Sequence, residues 1–320
     1  MKKTFLFAIS ILGLMGPFGC GKMQMPTSPA AQTKTITAPV VAATPAFVSS
    51  WTSAGSTSLI NPQGIALDAN GNIYVTDLYL AKVVKYDANG TLLADWGSRS
   101  GVTLSEPTGI AVQNGNIFVA DSSNARVVEF DANGNFVAQL NPTDTDGSPL
   151  FVYPTGVSFD KQGNLYVSDN SDEVYQFNNS LQLTGQWGTG STQGIFDYPV
   201  VSAEDGFGNI YVANNNSDRI TKLTPSTNAI STWGTFGTQQ GQFDGPVDLK
   251  LDASGNVYVV DTGNNRIQEF TASGAFLSQF GADSNNVQGL NGPTGMAIDG
   301  NGNIYVVDNG NARIVKYSTK

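Results

Sequence analysis

Six copies of one short sequence pattern, spaced 45 to 47 residues apart, constrain the fold of this 320-residue chain more than any other feature. Each copy opens with a proline and an alternating apolar run, as in Pro62-Gln-Gly-Ile-Ala-Leu-Asp68. A turn and a second apolar run follow, such as Gly71-Asn-Ile-Tyr-Val75. Self-similarity at a period of this length is typical of repeat architectures, in which every copy folds into the same unit. The opening prolines are Pro62, Pro107, Pro154, Pro199, Pro246 and Pro293.

Each copy holds four short segments suited to β-strands. After the first two, a third such as Arg126-Val-Val-Glu-Phe130 and a fourth such as Leu92-Leu-Ala-Asp-Trp96 follow. Asn-Gly and Ser-Gly pairs between them supply the positive φ that tight hairpin turns require. Four short antiparallel strands per repeat are the signature of a propeller blade. The sequence therefore predicts an all-β protein, a six-bladed β-propeller of four-stranded antiparallel blades.

The two ends of the repeat array are complementary. The segment from Phe47 to Trp51 resembles a fourth strand with no first three strands before it, whereas the last copy stops at Lys320 after its third strand. We predict that residues 46–320 form one propeller whose sixth blade is completed by the N-terminal strand, which removes the unpaired edges of an open array. Trp51 then occupies the place of the residues that end the other fourth strands, namely Trp96, Leu140, Trp187, Trp233 and Phe280.

Three recurring motifs resemble those of the NHL-repeat family: a Pro-x-Gly-Ile/Val-Ala opening, a Gly-Asn-Ile-Tyr-Val-x-Asp strand and an Asp-x-x-Asn-x-Arg link. The resemblance covers residues 46–320 and implies a six-bladed propeller with protein or polymer ligands. The histidine for which the family is named is absent, and Glu173 stands at the arginine position of the third copy.

We interpret the Asp-x-x-Asn-x-Arg link as a partly exposed ion pair that contributes little individually to stability. It occurs at Asp121 to Arg126, Asp261 to Arg266 and Asp308 to Arg313.

The chain contains no histidine and one cysteine, which narrows its possible functions. Without histidine there is no Ser-His-Asp or Cys-His nucleophile and no histidine-ligated zinc or iron site. The zinc-dependent lyases built on NHL-like repeats use histidine ligands, so the resemblance does not imply their activity. A net charge of −10 repels phosphate backbones, which makes nucleic acid an unsuitable partner. We expect a non-catalytic monomer without a cofactor.

The first 45 residues predict export. Residues 1–19 contain two lysines, an apolar run and a small residue before Cys20, which is the layout of a secretory signal peptide. Cys20 resembles the lipidated cysteine of bacterial lipoproteins, although Pro17 stands where the processing site usually has leucine. Residues 20–45, rich in Pro, Thr, Ala and Gln, predict a flexible tether. We expect a lipoprotein on the periplasmic or extracellular side of the cell envelope; loss of Cys20 with the leader is the alternative.

Residues that depart from the repeat are candidates for function, because the consensus positions maintain the fold. Lys250 and Asp248 replace small residues in the fifth copy, and Glu204 replaces an apolar residue in the fourth. We expect Lys250 to pair with Glu204 across the gap between blades 4 and 5, or with Asp248 on its own strand. The position before each proline varies and includes Tyr153 and Tyr198. The position three before it is predicted to be core: Leu59, Leu104, Phe151, Phe196, Phe243 and Leu290.

Two functions remain open. The first is binding or scaffolding at the propeller face that carries the links between second and third strands. Tyrosines there offer a large contact area at low entropic cost, and local packing over the rim is the alternative. The candidate ligand-binding residues are Tyr79, Glu106, Tyr153, Tyr198, Asp248 and Lys250. The second function is that of a calcium-dependent lactonase or esterase, similar to other six-bladed propellers, with Asn61, Glu106 and Asp248 converging on a metal in the central channel.

Overall fold

Six four-stranded antiparallel sheets make up most of the described chain, as the repeat predicts. The computed structural model describes residues 44–52, 58–99, 101–189, 194–282 and 288–318. The predicted signal peptide, Cys20 and all but the last two residues of the predicted tether lie outside these ranges. The first strands of neighbouring sheets contact one another, so the sheets are blades around a central axis. The prediction of a six-bladed β-propeller is confirmed.

The strands of the first three blades follow one another from the axis outward. Blade 1 consists of Pro62–Leu67, Ile73–Asp77, Lys82–Tyr86 and Leu92–Trp96. Blade 2 consists of Pro107–Gln113, Asn116–Asp121, Arg126–Phe130 and Phe136–Leu140. Blade 3 consists of Pro154–Phe159, Leu165–Asp169, Glu173–Phe177 and Leu183–Trp187. A short hairpin of Ser98–Arg99 and Val102–Thr103 lies between blades 1 and 2.

Blades 4 to 6 repeat this order, and only the last takes a strand from elsewhere in the chain. Blade 4 consists of Pro199–Glu204, Ile210–Asn214, Arg219–Thr224 and Ala229–Trp233. Blade 5 consists of Pro246–Leu251, Val257–Asp261, Arg266–Phe270 and Phe276–Phe280. Blade 6 consists of Pro293–Ile298, Ile304–Asp308, Arg313–Ser318 and the N-terminal Ala46–Trp51. Among the described residues, Ser122–Asn124 and Asn309–Asn311 form short 3-10 helices.

The second strand of each blade is buried on both faces, because a neighbouring blade packs against either side. Every residue of Ile73–Asp77, for example, is buried. The residue three positions before each proline is at most 5% exposed, which confirms the predicted core position. Within the described part of the chain, no helix has the length and apolar character needed to cross a membrane.

The N-terminal strand closes the ring. Ala46–Trp51 pairs antiparallel with Arg313–Ser318, and Trp51 lies opposite Ile314. Trp51 also contacts Tyr305 edge-on, with ring centroids 6.3 Å apart. The closure predicted from the two incomplete repeats is therefore confirmed.

Three of the four tryptophans that end fourth strands pack over glycines of the next blade, whereas Trp187 lies over Gly185 of its own strand. A side chain at those glycines would clash, because an added Cβ would lie 2.4 to 2.7 Å from the indole ring. The contacts join Gly90 to Trp51, Gly134 to Trp96 and Gly274 to Trp233. Blade 2 ends in the smaller Leu140, and the turn of blade 3 carries Leu181, with φ 56°, where the turns of blades 1, 2 and 5 have glycine. Both leucines pack against the same core cluster, so Leu181 fills the space that a tryptophan would take.

This packing predicts the outcome of a double-mutant cycle. Leu140→Trp alone is expected to destabilise the protein by about 2 kcal/mol, because the indole has no room beside Leu181. Combining it with Leu181→Gly should restore most of the lost stability by recreating the tryptophan–glycine contact found between three other pairs of blades. Urea unfolding of the wild type, both single variants and the double variant measures the coupling. Additive effects of the two substitutions would contradict the packing argument.

The aspartate–arginine link is an ion pair in three blades, as predicted. The Nε–Oδ2 distances are 2.7 Å for Arg126–Asp121 and Arg266–Asp261, and 2.6 Å for Arg313–Asp308. The aspartate side chains are 0% exposed, and that of Arg266 is 5% exposed. The expectation of partly exposed pairs is therefore wrong for the three aspartates and for Arg266, whereas Arg126 and Arg313 are partly exposed, at 19% and 14%. Breaking a buried pair leaves an uncompensated charge, which is strongly destabilising.

Candidate functional site

The chain order within a blade brings two kinds of connection to one end of the ring. The proline that begins each first strand lies opposite the last residue of the second, as Pro62 lies opposite Asp77. The links between second and third strands and the connections into each first strand therefore share this end, which we call the upper face. A central cavity of about 260 Å³ lies here between the first strands. The six residues that follow the prolines all line it: Gln63, Thr108, Thr155, Val200, Val247 and Thr294.

The wall of this cavity is polar in some blades and apolar in others at the position after the proline. Thr108 and Thr155 donate their hydroxyl protons to backbone carbonyls of the next blade, at 2.9 and 2.8 Å. Val200 and Val247 occupy the same position in blades 4 and 5 and offer no such donor. They make the cavity wall apolar at this position in blades 4 and 5, and Leu78 of blade 1 adds an apolar residue on the opposite side of the ring.

Lys250 pairs with Asp248 inside the cavity. Its Nζ lies 2.5 Å from Asp248 Oδ1, and Asp248 Oδ2 accepts the backbone N–H of Met296 in blade 6 at 2.7 Å. Of the two expected partners of Lys250, the structure shows Asp248. Burial raises the pKa of the Asp248 carboxyl even though Lys250 opposes the shift. Asp248 thus joins blade 5 to blade 6, and Lys250 offers the cavity a largely neutralised ammonium group.

Glu204 lies at the opposite end of its strand, away from this cavity. Burial and the nearby Asp160 raise the pKa of Glu204 to about 7. It occupies the seam between blades 3 and 4, where the equivalent positions of other blades hold apolar residues such as Leu251 and Ile298. Glu204 therefore belongs to the lower face, as we call the end opposite the upper face.

Glu106 and Tyr153 are hydrogen-bonded to each other at the cavity mouth, where Tyr198 also lies. Glu106 Oε2 accepts hydrogen bonds from Ser123 Oγ at 2.5 Å and from the Tyr153 hydroxyl at 3.0 Å. These bonds lower the pKa of Glu106, while burial and Glu106 raise the pKa of Tyr153 to about 12. At neutral pH this pair therefore holds an ionised carboxylate and a protonated tyrosine. Both tyrosines line the cavity.

Two of these residues have a backbone conformation that favours glycine. Glu106 has φ 52° and Tyr198 has φ 53°, and the equivalent positions of blades 5 and 6 are Gly245 and Gly292 with φ 63° and 55°. A residue with a Cβ costs about 1 kcal/mol in this left-handed region. Strained residues can mark functional sites, but in this chain the same conformation also occurs at link ends such as Ala81, Ala125 and Ala312. The fold accepts glycine here, so it does not require the two side chains.

The remaining candidates are placed differently. Tyr79 is 71% exposed on the upper face and does not line the cavity, although its neighbour Leu78 does. Asn61 Oδ1 accepts hydrogen bonds from Gln63 Nε2 and Asn309 Nδ2, at 2.5 and 2.6 Å.

The three residues considered as calcium ligands each bond to different partners. Asn61 bonds to other amides, Glu106 bonds to two hydroxyls, and Asp248 is paired with Lys250. Asp248 lines the cavity, whereas Asn61 and Glu106 are not part of its lining. Among the described residues, no three His, Cys, Asp or Glu side chains come together to hold a metal ion. The three residues do not fit a shared calcium site.

Exposed apolar side chains lie in the connections of the upper face. Ile60, Tyr79, Val152 and Phe236 are between 56 and 71% exposed, and all lie in connections of this end. The turns of the lower face contain one exposed large apolar residue in the described chain, Phe207.

Sequence reasoning missed the residues that follow the prolines. Gln63, three threonines and two valines stand at this position, and the two valines make the cavity wall apolar there in blades 4 and 5. The variation was visible in the repeat, but only the structure shows that the position faces the axis. Asn215, the first residue of the link between the second and third strands of blade 4, also lines the cavity.

Comparison with known proteins supports the repeat assignment. The NHL repeat family matches residues 104–130, 243–270 and 290–317, and a beta-propeller repeat family matches residues 53–76. The chain thus carries NHL repeats and is a six-bladed β-propeller. No curated protein is similar enough in sequence to count as a relative.

Solved structures with the same fold include enzymes of two kinds. A streptogramin B lyase is 16% identical, with a TM-score of 0.61 over 84% of this chain and 87% of the other. A gluconolactonase from Xanthomonas campestris is 14% identical, with a TM-score of 0.63 over 88% of this chain and 97% of the other. A virginiamycin B lyase from Staphylococcus aureus is 15% identical, with a TM-score of 0.58 over 84% and 98%. At these identities the likeness shows the fold alone.

Proposed function

We propose that this protein is a non-catalytic binding module of the bacterial cell envelope that holds a protein or polymer ligand on its upper face. The observation that carries the proposal is the pair Glu106 and Tyr198. Both stand at positions of left-handed backbone where the fold accepts glycine, and Tyr198 lines the central cavity. The exposed apolar residues of the upper face would extend the contact surface beyond the cavity. Lipidation of Cys20 and the tether belong to the same proposal, since they would hold the propeller at a membrane surface.

The residues of the chain favour binding over catalysis. A virginiamycin B lyase of the same fold is catalytically inactive as a histidine-to-alanine variant, and this chain contains no histidine at all. The gluconolactonase likeness favours the hydrolase alternative, yet Asn61, Glu106 and Asp248 do not form a common metal site. A binding function needs none of these groups.

Replacing Tyr198 by glycine tests the proposal. Tyr198→Gly should melt at or above the wild-type temperature, because glycine relieves the left-handed strain, and it should no longer capture the ligand from envelope extracts. Phe207→Asn is the matched control, since it removes an exposed aromatic residue from the lower face and restores the residue found at Asn70 and Asn301. Undiminished capture by a well-folded Tyr198→Gly variant, or equal loss in the control, would contradict the proposal.

A further inference from the structure

We infer that the part of the ligand that enters the cavity mouth is a cationic side chain on an apolar stem, a lysine or arginine of a polypeptide partner. This inference rests on the proposed function, because it assumes that the upper face is the binding face. It follows from the charge, the apolar surface and the aromatic groups that the mouth brings together.

The mouth is negatively charged. Glu106 is an exposed carboxylate held in place by Ser123 and Tyr153. Asp172 and Asp218 lie beside it, because their Oδ1 atoms accept the backbone N–H groups of Tyr198 at 2.7 Å and Gly245 at 2.8 Å. These carboxylates surround a cavity where an approaching ammonium or guanidinium group finds an attractive field.

Most positive charge at this end belongs to the residues that begin the third strands. Lys82, Arg126, Arg266 and Arg313 are held in ion pairs, and Arg219 lies opposite Asn214. In the described parts of the upper-face connections, seven residues are acidic and Arg99 alone is basic. Lys250 lies in the cavity, but Asp248 at 2.5 Å offsets its charge. The acidic residues of these connections are Glu106, Asp144, Asp146, Asp172, Asp197, Asp218 and Asp244.

The neighbouring surface suits the stem of a long basic side chain. Tyr153 and Tyr198 present aromatic rings at the mouth, and a cation over such a ring is attracted by its quadrupole. Behind them, Val200 and Val247 offer apolar contacts to methylene groups. A fixed carboxylate, aromatic rings and an apolar wall together select a cation over a neutral group of the same shape.

The size of the surface favours a polypeptide as the source of this cation. A small amine would be held within the cavity of about 260 Å³. Ile60, Val152 and Phe236 lie outside the cavity and are 56 to 70% exposed, so they are available to flanking residues of a longer ligand. A basic side chain with apolar neighbours in sequence matches both regions.

Calorimetric titration with matched peptides tests the inference. The probes are a terminally blocked Gly-Phe-Lys-Phe-Gly peptide, the same peptide with norleucine in place of lysine, and hexylamine. The lysine peptide should bind the wild type at least tenfold more tightly than the norleucine peptide and the amine. Glu106→Gln should remove this preference, whereas Asp146→Asn, which changes an exposed carboxylate of the same face, should keep it. The preference should also fall as salt is raised to 1 M.

The other possible outcomes separately overturn the cation preference, the polypeptide partner or the binding face. Equal binding of the lysine and norleucine peptides, with loss of both in Tyr198→Gly, would overturn the cation preference and leave the binding face in place. Hexylamine binding as tightly as the lysine peptide would replace the polypeptide partner by a small amine. Lysine-peptide binding that survives both Glu106→Gln and Tyr198→Gly would place the site elsewhere and contradict the proposed function. Absence of binding by all three probes would overturn the inference, and partner capture by the Tyr198→Gly variant would then decide the proposed function separately.

Discussion

A chain that begins at Ser58 is expected to unfold far more easily than one that begins at Ala46. The shorter chain lacks the strand Ala46–Trp51 and leaves Arg313–Ser318 as an unpaired edge. It also loses the contacts of Trp51 with Tyr305 and of Phe47 with Tyr317. Two large side chains and a strand ladder together contribute on the order of 5 kcal/mol, which is comparable with the whole stability of a typical domain.

Thermal and urea unfolding of the two chains measure this effect. The chain beginning at Ala46 should melt like the full-length protein, since the closing strand is intact. Trp51→Ala in the longer chain should fall between the two, because it removes one side chain and keeps the strand. Equal melting temperatures for the two chains would show that the strand does not hold the ring closed.

The second large effect is expected at the buried ion pair of blade 5. Asp261 accepts hydrogen bonds from Arg266 Nε at 2.7 Å, Gln268 Nε2 at 3.0 Å and the backbone N–H of Asp244 at 2.8 Å. Asp261→Asn keeps the shape but leaves the buried Arg266 without its counter-charge. Breaking a buried pair in this way costs about 3 to 5 kcal/mol.

Burial ranks the equivalent substitutions in other blades. The side-chain exposure of the arginine is 5% for Arg266, 14% for Arg313 and 19% for Arg126. The loss of unfolding free energy should therefore be largest for Asp261→Asn, smaller for Asp308→Asn and smallest for Asp121→Asn, because solvent screens the more exposed arginines. In blade 4, Asn214 lies opposite Arg219, where blades 2, 5 and 6 have aspartate. Asn214→Asp is therefore the reciprocal experiment, because it introduces the missing carboxylate. Equal losses in the three blades would show that burial does not set the cost.

The repeat allowed most of the fold to be predicted. The six repeat prolines predicted the number of blades. The fourth strand that ends at Trp51, which has no first three strands before it, predicted that the N-terminal strand closes the ring. Each prediction rests on a pattern that recurs or is visibly incomplete, so local sequence and overall fold agree.

The site was harder to predict, because it depends on residues that differ between the repeats. Tyr153 and Tyr198 were identified as departures, but the left-handed backbone of Tyr198 is a property of the folded loop. Gly245 and Gly292 at equivalent positions were the available signal. The partner of Lys250 stayed ambiguous in sequence, because both carboxylates lay within reach of a long side chain. The direction of Val200 and Val247 toward the axis needed the assembled ring.

Photo-crosslinking from the two faces tests the central claim, that the upper face holds the ligand. A photoreactive phenylalanine analogue replaces Tyr79, which is 71% exposed on the upper face, or Phe207, which is 92% exposed on the lower face. Both positions tolerate an aromatic side chain, so neither replacement should alter folding. After irradiation in the intact cell envelope, the account predicts a specific crosslinked partner from position 79 that disappears in a Tyr198→Gly background, and none from position 207. A partner crosslinked from position 207 and absent from position 79 would contradict it.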